Sequence, residues 1–447
     1  MTLRRPALGI TVGLGALLVL ACSSSEGGRA PIDDGDASGA IGDGGPADAG
    51  EDAHRDADAA LPPPNYEFEV ACAGTPCVKR LAARGGSHAC AVLQDGSVRC
   101  WGANVSGQLG TGANGAEPMP ELEARPRLVS GISSATGVTA TGQGLSGTTC
   151  VVSSAGDVSC FGSDAWGQLG RGETSSTEPH PDPVVIPGVK AKSITLASTF
   201  ALAVGTDARV WSWGADDAFQ LARAAPQDAG PNGAPARADR ISSSVRSFAG
   251  TSKNGFVVTE SGDVLSWGSA SAEQLGRSSS LRADPVPAPI ALSDMSSIAT
   301  GAAHACALSR AGGVHCWGRN DHGQLGTGAK GEELLPARVL LPDEVQAVAV
   351  AAGGNNTCII AANGDIHCWG ANDSGQLGVA GEQDYARPLR IEGLAEQVVS
   401  VAIMDEAICA LLRNGSVACW GDNLVGQLGR GSRDREIHVT PAPIVLE

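Results

Sequence analysis

The chain has 447 residues, 48 acidic and 31 basic side chains, a net charge of −17 and 61 glycines. The glycines lack the strict three-residue period of collagen, and a hydrophobic content of 42% is enough for a packed interior. The acidic balance argues against a nucleic-acid-binding protein, because phosphate neutralisation requires clustered lysines and arginines.

The amino terminus has the features of an export signal. Arg4 and Arg5 precede an apolar run over residues 7–21, which is too short for a stable membrane span, and Cys22 follows. The sequence VLAC at 19–22 resembles a bacterial lipoprotein signal, in which cleavage before the cysteine leaves that residue acylated. The resemblance implies a signal peptide at 1–21, a lipid anchor on Cys22 and, from Ser23, an outer membrane address with a periplasmic or surface face. An ordinary signal peptide with a nearby cysteine is the alternative.

Residues 22–65 are predicted to form a disordered acidic tether. Ten acids and two arginines stand among Gly, Ala, Ser and Pro, so the segment cannot bury enough apolar area to offset its ordering entropy. The stretch DGDASG from Asp34 resembles the start of a calcium loop, but its twelfth position is Gly45 instead of a bidentate Glu. A solvated spacer is therefore the better interpretation.

Seven copies of one unit fill residues 66–447. The string CAVLQDGSVRCWGANVSGQLGTG around Trp101 recurs, and its glutamine returns at intervals of 50 to 60 residues as Gln108, Gln168, Gln220, Gln274, Gln324, Gln376 and Gln427. Each unit holds two short apolar runs around a turn, an aromatic-glycine pair and a Gln-Leu-Gly turn, which is Gln-Leu-Ala in unit 3. Such units are typical of four-stranded propeller blades, and a closed ring of them removes exposed sheet edges. The predicted fold is an all-β, seven-bladed β-propeller.

The turn glycine, Trp-Gly, asparagine and Gly-Gln-Leu-Gly that recur along the chain resemble the repeats of the regulator of chromosome condensation family. The resemblance covers 66–447 and implies a seven-bladed propeller whose chain ends share a blade. We therefore expect residues 441–446 to join residues 78–83 in the first blade and latch the ring. The family's founding member is a nuclear guanine nucleotide exchange factor on chromatin. This sequence has no residues to which that role can be assigned.

Twelve cysteines remain if Cys22 carries the lipid. Ten lie in pairs ten residues apart, where a three-residue hairpin loop places both members opposite each other on neighbouring strands. An even number of remaining cysteines in a chain with an export signal is typical of a protein that folds in an oxidising compartment. The predicted disulfides join Cys72 with Cys77, Cys90 with Cys100, Cys150 with Cys160, Cys306 with Cys316, Cys358 with Cys368, and Cys409 with Cys419.

Metal binding is the competing interpretation, because four histidines lie near these cysteines: His88, His304, His315 and His367. Zinc sites use closely spaced ligands that converge, and a ten-residue cross-strand spacing is poor metal geometry. We expect no metal, and we expect a structural role for His88 and His304, which both stand two residues before a cysteine.

Units 3 and 4 depart from the repeat together. Both lack the cysteine pair, and Phe219 and Glu273 replace the glycine before the glutamine. Trp211 lies two residues from Trp213 on one strand face, and such an aromatic side chain is typical of the centre of a protein interface. The candidate binding residues are therefore Trp211, Phe219 and Glu273. The alternative is that units 3 and 4 have diverged without a binding role and that their packing has compensated for the changes. The repeats are separated by insertions at 113–127, 173–184 and 224–237. These insertions are either recognition loops or surface loops without a binding role.

No nucleophile elbow, phosphate-binding glycine loop or His-Glu metal motif stands in its required context, so we predict no catalytic residues and no cofactor. The predicted function is an exported, membrane-anchored, non-catalytic platform for an unknown protein ligand, with no nucleic acid and with the lipid as its only membrane contact. An extracellular enzyme stays open, because propeller glycosidases place their acids far apart in sequence. An enzyme inhibitor, by fold analogy with secreted bacterial β-lactamase inhibitor propellers, and an architectural envelope protein also stay open.

Overall fold

The computed structural model describes residues 69–112, 121–172, 176–224, 232–270, 274–331 and 333–446. The predicted signal peptide, the lipid-bearing Cys22 and the acidic tether lie outside these residues. Strands, turns and loops account for all described residues, so the all-β prediction is confirmed. Across the described ranges, no helix is long and apolar enough to cross a membrane.

Twenty-seven strands, numbered in chain order, form six antiparallel sheets within the described residues. The first sheet contains β1 (Val78–Ala82), β2 (His88–Leu93), β3 (Val98–Ala103) and β4 (Leu122–Leu128). The second contains β5 (Ala135–Gln143), β6 (Ser146–Ser153), β7 (Asp157–Asp164), β8 (Ser176–Leu196), β9 (Phe200–Gly205), β10 (Val210–Gly214) and β11 (Asn232–Arg237). The third contains β12 (Val245–Gly250), β13 (Asn254–Thr259), β14 (Val264–Ser269) and β15 (Ala283–Pro289).

The last three sheets have four strands each. The fourth sheet contains β16 (Met295–Thr300), β17 (His304–Ser309), β18 (Val314–Gly318) and β19 (Glu333–Arg338). The fifth contains β20 (Ala347–Gly353), β21 (Asn356–Ala361), β22 (Ile366–Gly370) and β23 (Tyr385–Arg390). The sixth contains β24 (Val398–Ile403), β25 (Ala407–Leu412), β26 (Val417–Gly421) and β27 (His438–Pro443).

The long strand β8 ends one four-stranded unit and begins the next. Its first part pairs with β7 and its last part with β9, so the seven-stranded sheet holds units 2 and 3. The first strands of neighbouring units contact one another in the order β1, β5, β8, β12, β16, β20, β24 and back to β1. These contacts close a ring of seven units around a central channel. We label the strands of each unit A to D from the channel outwards.

The carboxyl-terminal strand does not join the first unit, so the predicted latch is wrong. β27 pairs with β26 in unit 7, whereas β1 is the A strand of unit 1. The described strands begin with an A strand and end with a D strand, so they form a whole number of units and none of them is shared between the chain ends. The ring closes instead through backbone hydrogen bonds from Ile403 N to Ala83 O at 3.1 Å and from Val78 N to Gly415 O at 2.9 Å.

A buried aromatic ring from each C strand fills the space between neighbouring units. Each indole Nε1 donates a hydrogen bond to the backbone oxygen of the glutamine in the preceding unit, at 2.8 or 2.9 Å. The six tryptophans are Trp101, Trp213, Trp267, Trp317, Trp369 and Trp420. Unit 2 has Phe161 in this position, and there the Thr149 hydroxyl donates to Gln108 O at 2.9 Å. The repeated Trp and Gln thus join each unit to the next.

Each D strand has a proline at the same register position. In unit 1, Arg127 pairs with Cys100, and Pro126 comes directly before Arg127. The corresponding residues in units 2 to 7 are Pro183, Pro235, Pro287, Pro336, Pro388 and Pro441. Because proline has no N–H to donate, it protects an outer strand from pairing with another chain.

The six predicted disulfides are confirmed. Five join residues in direct register on B and C strands, with Cα–Cα distances of 4.1 to 4.2 Å, and Cys72 joins Cys77 at 5.8 Å. In units 3 and 4 the same register positions hold Leu202 opposite Ser212 and Phe256 opposite Ser266. The hairpin disulfides therefore follow from the register of the repeat.

Candidate functional site

The two ends of the ring carry different loops. Turns from A to B strands and loops from C to D strands lie at one end, which we call the AB end. Turns from B to C strands and links to the next unit lie at the other end, which we call the BC end. The described chain enters at the BC end, where Ala71 N donates to Arg413 O at 2.7 Å.

Trp211 lies near the BC end of unit 3 and is partly buried. The guanidinium carbon of Arg237 lies 4.0 Å from the centroid of its ring, and Arg237 also pairs with Asp207 Oδ2 at 2.6 Å. A cation over an indole face is a stabilising contact. One face of the ring is thus occupied within its own unit, and a binding role for Trp211 stays a prediction.

Phe219 lies in the C–D loop of unit 3, beyond the opposite end of β10 from Trp211. It is partly buried and has a φ of +64°, whereas the equivalent Gly107 and Gly167 have +79° and +74°. Glu273 lies outside the described residues. The structure therefore separates Trp211 from Phe219 by the length of a strand and does not bring them to one surface.

Unit 3 contains three of the four non-glycine residues with positive φ in the described part of the chain. They are Ala208, Phe219 and Ala222, with φ of 63°, 64° and 50°. The other units have glycine at these positions, except unit 4, which has Glu273 at the position of Phe219. Since the left-handed region costs an L-residue roughly 1–2 kcal/mol, unit 3 keeps the backbone of the repeat under strain.

His88 and His304 connect neighbouring units. His88 Nε2 lies 3.0 Å from Thr149 Oγ1, and His304 Nε2 lies 2.8 Å from Thr357 Oγ1. Burial lowers the pKa of each histidine to about 4, so both are neutral at neutral pH. These contacts give both histidines a structural role between units.

Three side chains at the AB end have the chemistry of metal ligands. The ligand atoms of His322, Asp373 and Asp384 all lie within 4.8 Å of one another. Lys330 Nζ lies 2.8 Å from Asp384 Oδ2, and His322 Nδ1 lies 3.1 Å from the same oxygen. The cluster is therefore an ion-pair network in which a lysine already balances the charge of Asp384.

The C–D loops share one hydrogen-bonded framework. In unit 2, Trp166 N donates to Gln168 Oε1 at 2.8 Å and Leu169 N donates to Asp164 Oδ1 at 2.9 Å. Units 1, 3, 5, 6 and 7 repeat both bonds. Because the framework uses only the asparagine or aspartate, the glutamine and backbone groups, the residues between them are free to vary at the surface.

Sequence reasoning missed Trp166, whose side chain is 47% exposed in this loop. The same position in other units holds Ser106, Ala218, His322, Ser374 and Val425. One aromatic residue among small and polar ones was the available signal. Leu145 in the A–B turn of unit 2 and Leu424 in the C–D loop of unit 7 are also exposed at the AB end, by 45% and 52%.

Acidic side chains gather at the AB end of units 6 and 7. Asp405 and Glu406 form the A–B turn of unit 7. Burial raises the pKa of Asp405, and burial followed by the charges of Asp422, Asp405 and Asp373 raises the pKa of Glu406. This part of the AB end is therefore negatively charged.

The channel opens at the AB end into a cavity of about 90 Å³. The A–B turns of all seven units line it, with Arg84, Thr141, Ser198, Thr251, Gly301, Gly354 and Asp405 among the lining residues. Arg84 is the only cation and Asp405 the only acid among the described residues that line this cavity. Polar and charged groups thus converge where the seven units meet.

Comparison with known proteins gives consistent matches. The family profile described as RCC1-like domain matches residues 35–403, and the profile of the regulator of chromosome condensation (RCC1) repeat matches residues 398–427. The ultraviolet-B receptor UVR8 of Arabidopsis thaliana is 28% identical over 358 residues, 78% of each chain. The probable E3 ubiquitin-protein ligase HERC3 of Homo sapiens is 34% identical over 137 residues, which are 30% of this chain and 13% of that protein.

Solved structures share the fold. Prp20p from Saccharomyces cerevisiae superposes with a TM-score of 0.65 at 22% identity, covering 83% of this chain and 88% of that one. Human WBSCR16 superposes with a TM-score of 0.64 at 19% identity, covering 76% and 88%.

Proposed function

This chain belongs to the RCC1-like domain family, and from that premise we propose that it is an exported, lipid-anchored, non-catalytic platform that binds a protein at the cell envelope through its AB end. The proposal has three parts: the type of function, the binding surface and the cellular address.

The exposure of Trp166 carries the proposal for the binding surface. The aromatic ring of the repeated aromatic-glycine pair is buried between units in all seven units, whereas Trp166 is 47% exposed on a loop whose backbone is already fixed. A large exposed aromatic on a rigid loop immobilises few rotamers when a partner covers it, and such residues are enriched at interface centres. Leu145 and Leu424 add exposed apolar area at the same end.

The relatives support a protein ligand. The structure of yeast Prp20p was described together with its binding properties to Gsp1p and histones, so a propeller of this fold presents surfaces to proteins. The partner of this chain is a protein that offers apolar side chains to Trp166.

The small size of the channel mouth argues against catalysis there. Small-molecule sites usually have volumes of about 300–1,000 Å³. The cavity between the A–B turns measures about 90 Å³, so a sugar or a peptide does not fit beside Asp405. We therefore do not put forward a substrate for this cavity.

The disulfides support the cellular address. Six disulfides indicate folding in an oxidising compartment. The export signal and the lipid on Cys22 would then place the protein in the outer membrane. Because the described chain enters the propeller at the BC end, beside Arg413, the attachment point lies opposite the surface that carries Trp166.

Cross-linking in intact envelopes tests the proposal. The full chain is compared with a variant carrying Trp166→Ala and Leu145→Ser, and with a control carrying Leu128→Ser, whose side chain is 55% exposed on the outer strand β4. We expect the parent and the control to cross-link to one protein and the AB-end variant to lose it while keeping its melting temperature. Equal cross-linking by all three proteins would exclude the AB end, and no cross-linked protein would contradict the platform itself.

A further inference from the structure

Arg84 extends from the A–B turn of unit 1 across the channel. Its Nη1 donates to Gly250 O at 2.8 Å and to Thr300 Oγ1 at 2.6 Å, and its Nη2 donates to Leu196 O. These acceptors belong to units 3, 4 and 5, on the far side of the ring. The side chain therefore crosses the channel and places its guanidinium in the cavity at the AB end.

The guanidinium of Arg84 has no anionic partner in the part of the chain that the structure describes. Its acceptors are two backbone carbonyls and one hydroxyl, and no carboxylate of the described residues forms an ion pair with it. Arg277 shows the contrast, because its side chain is 14% exposed and pairs with Asp284 Oδ2 at 2.9 Å. Burial lowers the pKa of Arg84 to about 10, so the group keeps its charge at neutral pH. Arg84 is partly buried, and charges removed from water are normally paired, whereas this one has no carboxylate partner among the described residues.

Unused hydrogen-bond donors face the same cavity. Arg84 has five N–H groups, three of which have acceptors, so two have none among the described residues. The hydroxyls of Ser198 and Ser252 also line the cavity, and neither donates a hydrogen bond to a described residue. A volume of about 90 Å³ admits a few waters or one small ion.

We propose that the channel mouth is a binding site for a small monovalent anion of the carboxylate class, which pairs with Arg84 and accepts hydrogen bonds from Ser198 and Ser252. Asp405 also lines the cavity and repels further negative charge, so the site selects one charge over a phosphate or sulfate dianion. The carboxylate is either a free small molecule or an acidic side chain of a bound protein. The site stands independently of the platform proposal.

Chloride NMR in solution is the first test, with chloride as the probe and acetate as the competitor. The full chain should broaden the ³⁵Cl resonance, and acetate should remove the broadening at constant ionic strength. Arg84→Gln should weaken chloride binding about tenfold or more, because the anion loses its charged hydrogen-bond donor. The control is Arg277→Gln. Because the Arg277 guanidinium pairs with Asp284, its removal should leave the broadening unchanged. Equal broadening by the parent and Arg84→Gln would overturn the proposal.

A crystallographic test needs no variant, which matters because Arg84 also holds several units together. Crystals of the parent soaked in sodium bromide should give an anomalous peak within hydrogen-bond distance of the Arg84 guanidinium, and an empty cavity would overturn the proposal. A last measurement separates the two sources of carboxylate. Acetate that abolishes the cross-link when it is added before the cross-linker assigns the site to an acidic side chain of the partner, and acetate that binds without reducing the cross-linking assigns the site to a free carboxylate.

Discussion

Trp101 and Gln427 stand 326 positions apart, and the indole Nε1 of the first donates to the backbone oxygen of the second at 2.9 Å. The bond joins unit 1 to unit 7 and has the same geometry as the bond from Trp420 to Gln376 inside the ring. Ring closure thus uses the ordinary interface between units. The repeat contains everything that closure needs, and no exchanged strand is required.

Trp101→Phe should lower the free energy of unfolding by about 1–2 kcal/mol, because it leaves the buried oxygen of Gln427 without its donor and removes part of a packed ring. Phe161 occupies the same position in unit 2, so the backbone accepts phenylalanine. Equilibrium denaturation measures the change, with Trp420→Phe as the internal control. We expect both variants to lose the same free energy of unfolding. A much larger loss for Trp101→Phe would mean that ring closure stabilises the protein beyond the contacts of that one interface.

The repeat made the fold predictable, since the spacing of the glutamines fixed the number of units and the ten-residue cysteine spacing fixed the hairpin register. The boundaries of the units were harder, because β8 runs without a break from the outer strand of unit 2 into the inner strand of unit 3. The prediction that the tail joins unit 1 follows from the shared blade that the family resemblance implies, and it is wrong because β27 pairs with β26 of its own unit. The sequence around Trp211 does not indicate the residue over its ring, because Arg237 comes from the D strand.

The disulfide between Cys72 and Cys77 should be the first to be reduced. Cys72 is partly exposed, whereas the ten hairpin cysteines have no exposed surface. Mild reduction followed by alkylation and peptide mass spectrometry should therefore label Cys72 and Cys77 first. Replacing both by serine should cost about 2 kcal/mol in the chain-entropy picture for so short a loop. Earlier labelling of a hairpin pair would contradict the order.

Cys22→Ser should release the protein from the membrane. A thioether-linked lipid requires the cysteine sulfur, and an acylated residue anchors by burying methylene groups at about 0.8 kcal/mol each. Labelling with radioactive palmitate and fractionation of cells measure the change, with Ser23→Ala as a control that keeps the sulfur. The parent and control should be labelled and sediment with membranes. A Cys22→Ser variant that is still labelled would place the lipid elsewhere, and an unlabelled parent would contradict the lipoprotein prediction.

Ala208→Gly should stabilise the protein by about 1 kcal/mol. Ala208 is exposed in the B–C turn of unit 3 with a φ of 63°, where glycine avoids the steric cost of the left-handed region and no buried contact is lost. Urea denaturation measures the gain. The reverse change Gly96→Ala is the matched control, because a Cβ there would lie 2.8 Å from Ser133 O, and it should destabilise. A loss of stability for Ala208→Gly would show that the turn of unit 3 is not strained.

Asp216 gives the protein a pH dependence of opposite sign to that of most carboxylates. It occupies the loop position that is Asn104 in unit 1, its Oδ2 has no hydrogen-bond partner among the described residues, and burial raises its pKa to about 6. Since the unfolded pKa is about 3.9, the folded state binds the proton more tightly, and this contribution to stability is lost as pH rises from about 4 to 6. Asp216→Asn removes the titration and restores the residue used in other units.

The variant Asp216→Asn should match the parent near pH 4 and exceed its free energy of unfolding by about 1 kcal/mol at pH 7, a gain that is usual for restoring a consensus residue. The control is Asp217→Asn. Although burial raises the pKa of Asp217, hydrogen bonds from Gln220 and Lys253 leave it lowered, so its charge stabilises the fold above the unfolded pKa and the control should be less stable than the parent at pH 7. Denaturation curves at pH 4 and pH 7 measure these free energies of unfolding. If the difference between Asp216→Asn and the parent were the same at both pH values, Asp216 would not titrate in this range.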